Sequence, residues 1–354
     1  MCAINSTRRP SIVSSGRQDP MQKKSHDKVF IGVDIGGTKV AAGVVDSAGK
    51  IVARAKGRMA ARGSAEEGFR AVTETLDALL RNKRARAASA IGISVPGWVD
   101  AARGTLLGAA NIPCWKDFPL ARAVAKHYHL RTRIANDANV AALAEAAWGA
   151  GAGYRNVFYV TIGTGIGTGI VQDGRIYQGR TGCAAEGGHM TIDFHGPLCG
   201  CGKRGCIETY ASGTAIGKNA RDRLIEGEAS GSKLLALADG KIEAVTSEIV
   251  AKAASQGDKL AKQVLKDTAE RLATWLGNIM ELLEPDAIVV GGGAGHLMMA
   301  HAGQIREALE TWSISPRWRE IPIVEAKYGS ESAIAGAAAL WLPSTAFHWK
   351  KRKA

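Results

Sequence analysis

A histidine and three cysteines lie within one short glycine-rich segment of this chain. They are His189, Cys199, Cys201 and Cys206, in the run H-M-T-I-D-F-H-G-P-L-C-G-C-G-K-R-G-C. One imidazole and three thiolates are the donors that tetrahedral Zn²⁺ prefers, and four protein ligands leave no position for a metal-bound water. The segment therefore predicts a structural zinc rather than a catalytic one. A disulfide pair is the alternative, and it is disfavoured because the remaining cysteines are scattered, as in reducing compartments.

Two carboxylates flank the predicted zinc segment. Glu186 lies three residues before the histidine, and Glu208 lies two residues after the last cysteine. A metal that holds the segment would also hold these carboxylates in place, because ligand residues fix the backbone on either side of them. The pair is therefore a candidate for ligand binding.

Three glycine clusters follow apolar runs that are typical of strands. Glycine removes Cβ, so that backbone N–H groups can converge on phosphate oxygens, and threonine adds a hydroxyl donor. A single cluster is weak evidence, because glycine after a strand is most often only a turn. Together they favour a nucleotide-phosphate site, and their residues are Asp34-Ile35-Gly36-Gly37-Thr38-Lys39, Gly163-Thr164-Gly165-Ile166-Gly167 and Gly291-Gly292-Gly293.

Two of these clusters belong to an internal repeat. Residues 29–51 and 157–176 each predict a strand, a glycine turn, a second strand, a tight turn and a third strand. The repeat indicates a duplicated α/β fold. The other predicted elements are helices at Ser64–Arg84, Asp117–His129, Ala138–Trp148, Ser212–Glu226, Ser247–Ser255 and Asp258–Leu283, and strands at Ala90–Val95, Thr132–Ala135 and Ala287–Val290.

Composition sets further bounds on the chain. With 354 residues, 46% of them hydrophobic, it is long enough for two domains, and no apolar run approaches membrane-spanning length. The formal charge of +13 by itself would suggest a nucleic-acid partner, but its distribution along the chain does not support this. Much of it lies in residues 1–28 and in Lys350-Lys351-Arg352-Lys353, where no aromatic residues alternate with the charges. We therefore expect solvated tails, no specific nucleic-acid partner and no membrane partner.

Several of these motifs together resemble the ROK (repressor, open reading frame, kinase) family, and within it the glucokinases. The motifs are D34-I-G-G-T-K, N136-D-A-N, the G-T-G-I-G turn, E186-G-G-H and C199-G-C-G-K-R-G-C-I-E208. The resemblance covers about residues 28 to 343. It implies an α/β fold of two actin-like or hexokinase-like (ribonuclease H-like) lobes with a zinc-pinned loop, and ATP-dependent phosphoryl transfer to a hexose, foremost the 6-hydroxyl of glucose. It also implies Mg²⁺ with ATP, a cytoplasmic location, and a homodimer or homotetramer.

The resemblance also assigns roles to individual residues. Asp137, which follows a predicted strand and opens a helix, is the candidate base, although a plain helix cap is an alternative interpretation. Asp34 is expected to help hold Mg²⁺ through water. His189 is expected to give one ring nitrogen to zinc and the other to the sugar. The remaining assignments are sugar contacts from Asn111, Asn136, Asp137, Glu186 and Glu208, and phosphate contacts from Asp34, Gly36, Gly37, Thr38, Lys39, Gly163, Thr164, Gly165, Gly167, Gly291, Gly292 and Gly293.

The domain organisation follows from the same comparison of motifs. We expect a basic extension over residues 1–27, a first lobe over 28–137 completed by a helix at 330–343, a second lobe over 138–329, and a basic tail over 344–354.

Four alternatives remain open on sequence alone. N-acetylglucosamine, mannose or fructose is an alternative to glucose as the acceptor, because this chain has Cys114 where many relatives have glycine and E186-G-G-H where many have E-I-G-H. Polyphosphate could replace ATP as the donor. A ROK repressor is a different class, disfavoured because about thirty residues precede the first glycine turn, too few for a helix-turn-helix domain. A sugar-binding module with vestigial ATP loops is the last alternative.

Overall fold

The strands form two five-stranded sheets and one small sheet in the computed structural model, which describes residues 28–227 and 232–350. The strands are β1 (Phe30–Ile35), β2 (Lys39–Val45), β3 (Ile51–Arg58), β4 (Ala90–Val95), β5 (Trp98–Asp100), β6 (Thr105–Gly108), β7 (Lys116–Phe118), β8 (Arg131–Asn136), β9 (Asn156–Ile162), β10 (Ile166–Gln172), β11 (Arg175–Ile176), β12 (Ala287–Gly291) and β13 (Ile323–Glu325).

The helices cover both faces of the two large sheets. They are α1 (Ala65–Leu80), α2 (Lys83–Arg86), α3 (Leu120–Tyr128), α4 (Asp137–Trp148), α5 (Glu208–Ala211), α6 (Gly213–Ile225), α7 (Lys233–Leu237), α8 (Ser247–Ser255), α9 (Lys259–Leu283), α10 (Gly293–Met299), α11 (Ala302–Trp312) and α12 (Ser332–Ala339). None of the helices in the described part of the chain is long and apolar enough to cross a membrane.

The two large sheets have the same topology. The first runs β3-β2-β1-β4-β8 and the second β11-β10-β9-β12-β13. In each sheet three sequential strands pair antiparallel. A fourth strand then pairs in parallel with the first of them, and a fifth pairs in parallel with the fourth. This confirms the duplicated α/β fold. It also brings the glycine turns β1–β2 and β9–β10 to equivalent positions in the two halves.

Two helices rich in small residues connect the halves. Helix α12 lies against the first sheet so closely that a Cβ on Gly92 would be 1.7 Å from the carbonyl oxygen of Ala337. Helix α4 crosses α12 equally closely, because a Cβ on Gly336 would be 1.7 Å from the carbonyl oxygen of Val140. The opposite face of α4 packs on β10 through Gly169. The chain between the two sheets is therefore held by backbone-to-backbone packing, which leaves little freedom for the start of α4.

A buried carboxylate fixes the other end of α4. Glu145 is fully buried, and its side chain accepts hydrogen bonds from the N–H groups of Ala150 (2.8 Å), Lys327 (2.8 Å) and Tyr328 (2.7 Å). Three donors satisfy most of the acceptor capacity of one carboxylate, which compensates for its burial. Glu145 therefore ties α4 to the segment that leads from β13 into α12.

Some predicted elements differ from those in the structure. The helix predicted at Ser64–Arg84 breaks into α1 and α2, because the Asn82 side chain caps a new helix by accepting from the Arg84 N–H group at 2.9 Å. The helix predicted from Asp117 begins at Leu120. Residues 116–118 instead form β7, an edge strand of the small sheet β5-β6-β7. Its neighbours β5 and β6 were not predicted.

The predicted basic tail is partly folded. Residues 1–27 and 351–354 lie outside the described residues, but residues 344–350 pack on the second half of the molecule. Phe347 is buried and stacks on Trp349, and the Lys350 ammonium group lies 3.9 Å from the centre of the Tyr154 ring. The aromatic residues at 347 and 349 explain this difference, because burying their rings favours packing over a solvated chain.

Candidate active site

Asp137 stands at the junction between β8 and α4. The helix cap is Asn136 and not Asp137, because the Asn136 Oδ1 atom accepts from the N–H groups of Ala138 (2.9 Å) and Asn139 (3.3 Å). The Asn136 Nδ2 atom donates to the carbonyl oxygen of Gly97 at 3.2 Å. The alternative interpretation of Asp137 as a plain cap is therefore wrong, and its carboxylate projects at the carboxyl end of a parallel strand, where α/β sheets bind ligands.

The surroundings of Asp137 raise its basicity. Asp137 is exposed at the surface, yet neighbouring protein atoms partly desolvate its carboxyl group, and this desolvation raises the pKa above the ordinary value of 3.8. The N–H group of Ala138 donates to its Oδ1 atom at 2.8 Å and opposes part of the rise. A carboxylate with a raised pKa accepts a proton more readily near neutral pH, which suits a general base.

The four predicted metal ligands come together. The ligand atoms of His189, Cys199, Cys201 and Cys206 all lie within 4.8 Å of one another. The Cys199 Sγ atom is 3.6 Å from His189 Nδ1, and the Cys201 and Cys206 Sγ atoms are 3.7 Å apart. Tetrahedral zinc with ordinary bond lengths requires edges of about 3.6 Å between N and S and about 3.8 Å between two S atoms. The cluster therefore fits Zn²⁺, with Nδ1 as the ligand nitrogen.

Backbone pairing within the zinc segment explains its glycines. Thr191 pairs with Cys206 and Leu198 with Arg204, which folds the segment back on itself. Gly205 has a φ of +64°, and a Cβ there would be 1.5 Å from the carbonyl oxygen of Asp193. Only glycine fits this position. The fold of the loop is thus partly formed by the backbone before any metal is considered.

The two carboxylates that flank the His/Cys cluster in sequence differ in their contacts. The Glu208 Oε2 atom accepts from the Ile166 N–H group at 2.8 Å, and its Oε1 atom is 4.0 Å from His189 Nδ1. Glu208 therefore joins the zinc segment to the second glycine turn, and one of its oxygens is already bonded within the protein. Glu186 is exposed. Its pKa is raised, first by partial burial and then by the charges of Asp137 and Glu208, against the opposing effect of His189.

The first glycine turn lies beside Asp34 and Asn111. The Gly36 N–H group donates to the carbonyl oxygen of Lys39 at 2.9 Å, which closes the turn between β1 and β2. A Cβ on Gly37 would be 2.7 Å from the Asn111 carbonyl oxygen, so the turn touches Asn111, which is a predicted sugar contact. Thr38 and Lys39 are exposed at the tip of the turn.

Asp34 is the second carboxyl group with a strongly shifted pKa. Burial raises its pKa to about 6, helped by the charge of Asp137 and opposed by that of Lys39. Two mutually repelling carboxyl groups beside the first glycine turn are a suitable donor set for Mg²⁺, because this ion prefers oxygen ligands and would offset their negative charge. Asp34 and Asp137 are the residues that would face such an ion.

The second and third glycine turns meet at the start of α6, a predicted helix that was not expected to contribute to the site. The Gly213 N–H group, at the beginning of α6, donates to the carbonyl oxygen of Gly163 at 2.7 Å. Gly292 has a φ of +86°, and a Cβ there would be 2.3 Å from the Ile162 carbonyl oxygen. Ser212 caps α6 by accepting from the Ala215 N–H group at 3.1 Å. The Ser-Gly pair after the zinc segment was the available signal for this contribution. The N–H groups of Gly213 and Ala215 already have partners within the protein, and the positive end of the helix dipole still favours an anion here.

Asp34→Asn is expected to stabilise the nucleotide-free protein near about pH 8. Because the pKa is about 6 in the folded state against an ordinary 3.8, folding favours the protonated form. The free energy of unfolding therefore falls as the pH rises through this window, and asparagine removes a penalty of up to about 3 kcal/mol. Thermal unfolding near pH 8 and near pH 5 measures the effect, which should shrink at the lower pH. An equal shift at both pH values, or the same shift in the surface variant Asp173→Asn, would contradict the assignment.

The chain is similar to known proteins over most of its length. The model of the ROK family matches residues 30–344. Glucokinase from Streptomyces coelicolor is 36% identical over 319 residues, covering 88% of this chain and 96% of its own. N-acetylmannosamine kinase from Yersinia pseudotuberculosis is 32% identical over 311 residues, covering 88% and 97%. The structure of a ROK family glucokinase from Streptomyces griseus, in complex with glucose and AMPPNP, superposes with a TM-score of 0.72 at 36% identity, over 88% of this chain and 98% of that one.

Proposed function

The chain belongs to the ROK family, and we propose that it is an ATP-dependent glucokinase, which transfers the γ-phosphoryl group of ATP to the 6-hydroxyl of glucose. One observation carries the proposal. Asp137, with its raised pKa, lies within electrostatic reach of Asp34 beside the first phosphate turn and of Glu186 beside the zinc cluster. The groups expected to bind phosphate and sugar therefore converge on one candidate base.

Phosphoryl transfer requires little covalent work from the protein. The donor and acceptor must be held in line, the charge on the phosphoryl oxygens must be stabilised, and the hydroxyl proton must be accepted. The Asp137 carboxylate accepts the proton of the 6-hydroxyl. At the same time the hydroxyl oxygen of the sugar forms a bond to the γ-phosphorus, and the bond between that phosphorus and the β–γ bridging oxygen breaks. ADP leaves with that electron pair. Mg²⁺, when bound near Asp34, supplies charge neutralisation on the phosphates.

The sugar is held by groups from both halves of the molecule. We propose that Glu186, Glu208 and the Nε2 atom of His189 receive its hydroxyls from one side, and that Asn111 and Asn136 approach from the other. The Nδ1 atom of His189 faces the cysteines, so Nε2 is the nitrogen left for a ligand. Zinc would thereby fix both the ring orientation and the tautomer of a sugar-binding histidine.

The similarity to N-acetylmannosamine kinase supports a second candidate of the same chemistry. That relative is 32% identical, close to the 36% of the glucokinase. A panel of hexoses and N-acetylhexosamines, each with ATP or polyphosphate as donor in a coupled assay, tests the proposal. The highest kcat/KM for glucose with ATP supports it. A preference for an N-acetylhexosamine would change the proposed acceptor but not the proposed mechanism. Binding of glucose without turnover would favour a sugar sensor instead of a kinase.

Glucose is expected to compact the protein and raise its melting temperature. The phosphate turns lie in different halves, so in-line geometry and exclusion of water both require a closed cleft. A ligand that binds only the folded form raises the free energy of unfolding, and this increase grows with the logarithm of the ratio of ligand concentration to Kd. We expect N-acetylglucosamine to act weakly. X-ray scattering and thermal shift with each sugar measure the two effects, and compaction by N-acetylglucosamine but not by glucose would contradict the glucokinase assignment.

A further inference from the structure

The backbone around Glu186 is held in an unusual conformation. Ala185, directly before it, has a φ of +67°, in the left-handed region that residues with a Cβ rarely adopt. Such a conformation costs on the order of 1 kcal/mol, so neighbouring contacts must maintain it. Gly187 and Gly188, directly after Glu186, are buried and begin the short turn that ends at His189. The exposed Glu186 side chain therefore projects from a backbone that the protein fixes on both sides.

Thr168 supplies the bonds on both sides of Glu186. This residue of β10 is 3% exposed, and its hydroxyl group donates to the carbonyl oxygen of Ala185 and accepts from the Gly187 N–H group at 2.8 Å. A second contact comes from the buried Trp275, whose Nε1 atom donates to the Gly187 carbonyl oxygen at 3.1 Å. One hydroxyl thus bridges the two peptide groups that flank the Glu186 residue.

The position of the Thr168 hydroxyl requires glycine at position 187. A Cβ on Gly187 would be 2.8 Å from the Thr168 Oγ1 atom, closer than real Cβ contacts. The two positions are therefore coupled, because a larger residue at 187 would displace the buried hydrogen bond between Thr168 and the Gly187 N–H group.

We propose that Thr168 is a positioning residue for sugar binding, which acts by holding Ala185 and Gly187 so that the Glu186 carboxylate faces the cleft. The proposal rests on the proposed function, because it takes Glu186 to bind the acceptor sugar. Thr168 lies on the face of β10 opposite the one that packs on α4, and its hydroxyl is used up by the two peptide groups. It therefore touches neither the acceptor nor Asp137, and its effect falls on substrate binding rather than on proton transfer.

Thr168→Val keeps the shape of the side chain and removes the hydroxyl. We expect the KM for the acceptor sugar to rise by about 10-fold or more, with kcat within about threefold and the KM for ATP and the zinc content unchanged. Thr168→Ser keeps the hydroxyl and should restore the acceptor KM to within about twofold. Thr268→Val is the matched control, because Thr268 is an equally buried threonine of the same half whose hydroxyl bonds only within α9. An unchanged acceptor KM in Thr168→Val, or a loss in Thr168→Ser as large as in Thr168→Val, would overturn the proposal.

A second variant covers the case in which Thr168→Val does not fold. Ala185→Gly removes the backbone strain at 185, so adding it to Thr168→Val should recover folding and part of the acceptor KM. No recovery of either would count against the proposed role. The failure of the proposed function is distinguishable, because these KM values are measured with whichever hexose the wild-type protein phosphorylates. A wild-type preference for another sugar would change the proposed acceptor. Equal acceptor KM values for Thr168→Val and Thr168→Ser would instead reject the proposed role of Thr168.

Discussion

Asp137→Asn is expected to lower kcat by about 100-fold or more while the dissociation constant for glucose stays within about threefold of the wild-type value. Asparagine has the same shape, so it keeps the contact with the Ala138 N–H group but cannot accept the proton of the sugar hydroxyl. Because Asn136 caps α4, the helix start does not depend on the charge at 137. Steady-state kinetics and calorimetric titration with glucose measure the two quantities separately.

The pH dependence provides a check on the same assignment. Since burial raises the pKa of Asp137, wild-type turnover should fall as the pH is lowered through that raised value, when the carboxylate gains its proton. The residual activity of Asp137→Asn should lack this acidic limb. The surface variant Asp173→Asn is the control and should keep both the rate and the pH profile. Near-normal turnover in Asp137→Asn would reject Asp137 as the base.

Cys201→Ala is expected to release the metal and to weaken glucose binding by about 10-fold or more at the same time. Cys201 is the exposed member of the cluster, so its loss removes a ligand without opening a core cavity. Without zinc, the His189 ring loses the partner that would orient it, and the loop between Glu186 and Glu208 loses its anchor. Elemental analysis and glucose titration of the same preparation measure both effects.

Cys183→Ala is the matched control for the zinc experiment. Cys183 is also exposed, but it lies outside the cluster, so its replacement should leave the zinc content unchanged. Two results would contradict the coupling of zinc to sugar binding. The first is a wild-type protein that contains no zinc. The second is a Cys201→Ala protein that has lost its metal but binds glucose with the wild-type affinity.

Local patterns in the sequence were enough to predict most of the framework. Glycines after apolar strands predicted the turns β1–β2 and β9–β10, and their recurrence predicted two similar sheets, which the strand orders confirm. The cluster of candidate metal ligands was predictable because Cys199, Cys201 and Cys206 lie within eight consecutive positions, so the chain has little freedom to separate them. Such features depend on neighbours in sequence, and residue type and spacing therefore determine them.

Contacts between distant residues decided what the sequence left open. Asn136 and Asp137 are both good caps, and only the folded chain shows that Asn136 takes this role. The small sheet β5-β6-β7 has strands of three or four residues, too short to have a periodicity of their own. The helix start at Gly213 gains its meaning only from Gly163, fifty residues earlier.

Thr168 illustrates the same division at the level of one residue. In the sequence it is an ordinary threonine of a strand next to the second glycine turn, and E186-G-G-H is only a departure from a familiar motif. The folded chain places the Thr168 hydroxyl between the peptide groups of Ala185 and Gly187. Sequence alone determined which residues could bind a metal, phosphate and sugar, because these are properties of side-chain chemistry and short-range spacing. The tertiary structure decided which buried groups hold those residues in position, because hydrogen bonds and close packing form between segments that are far apart along the chain.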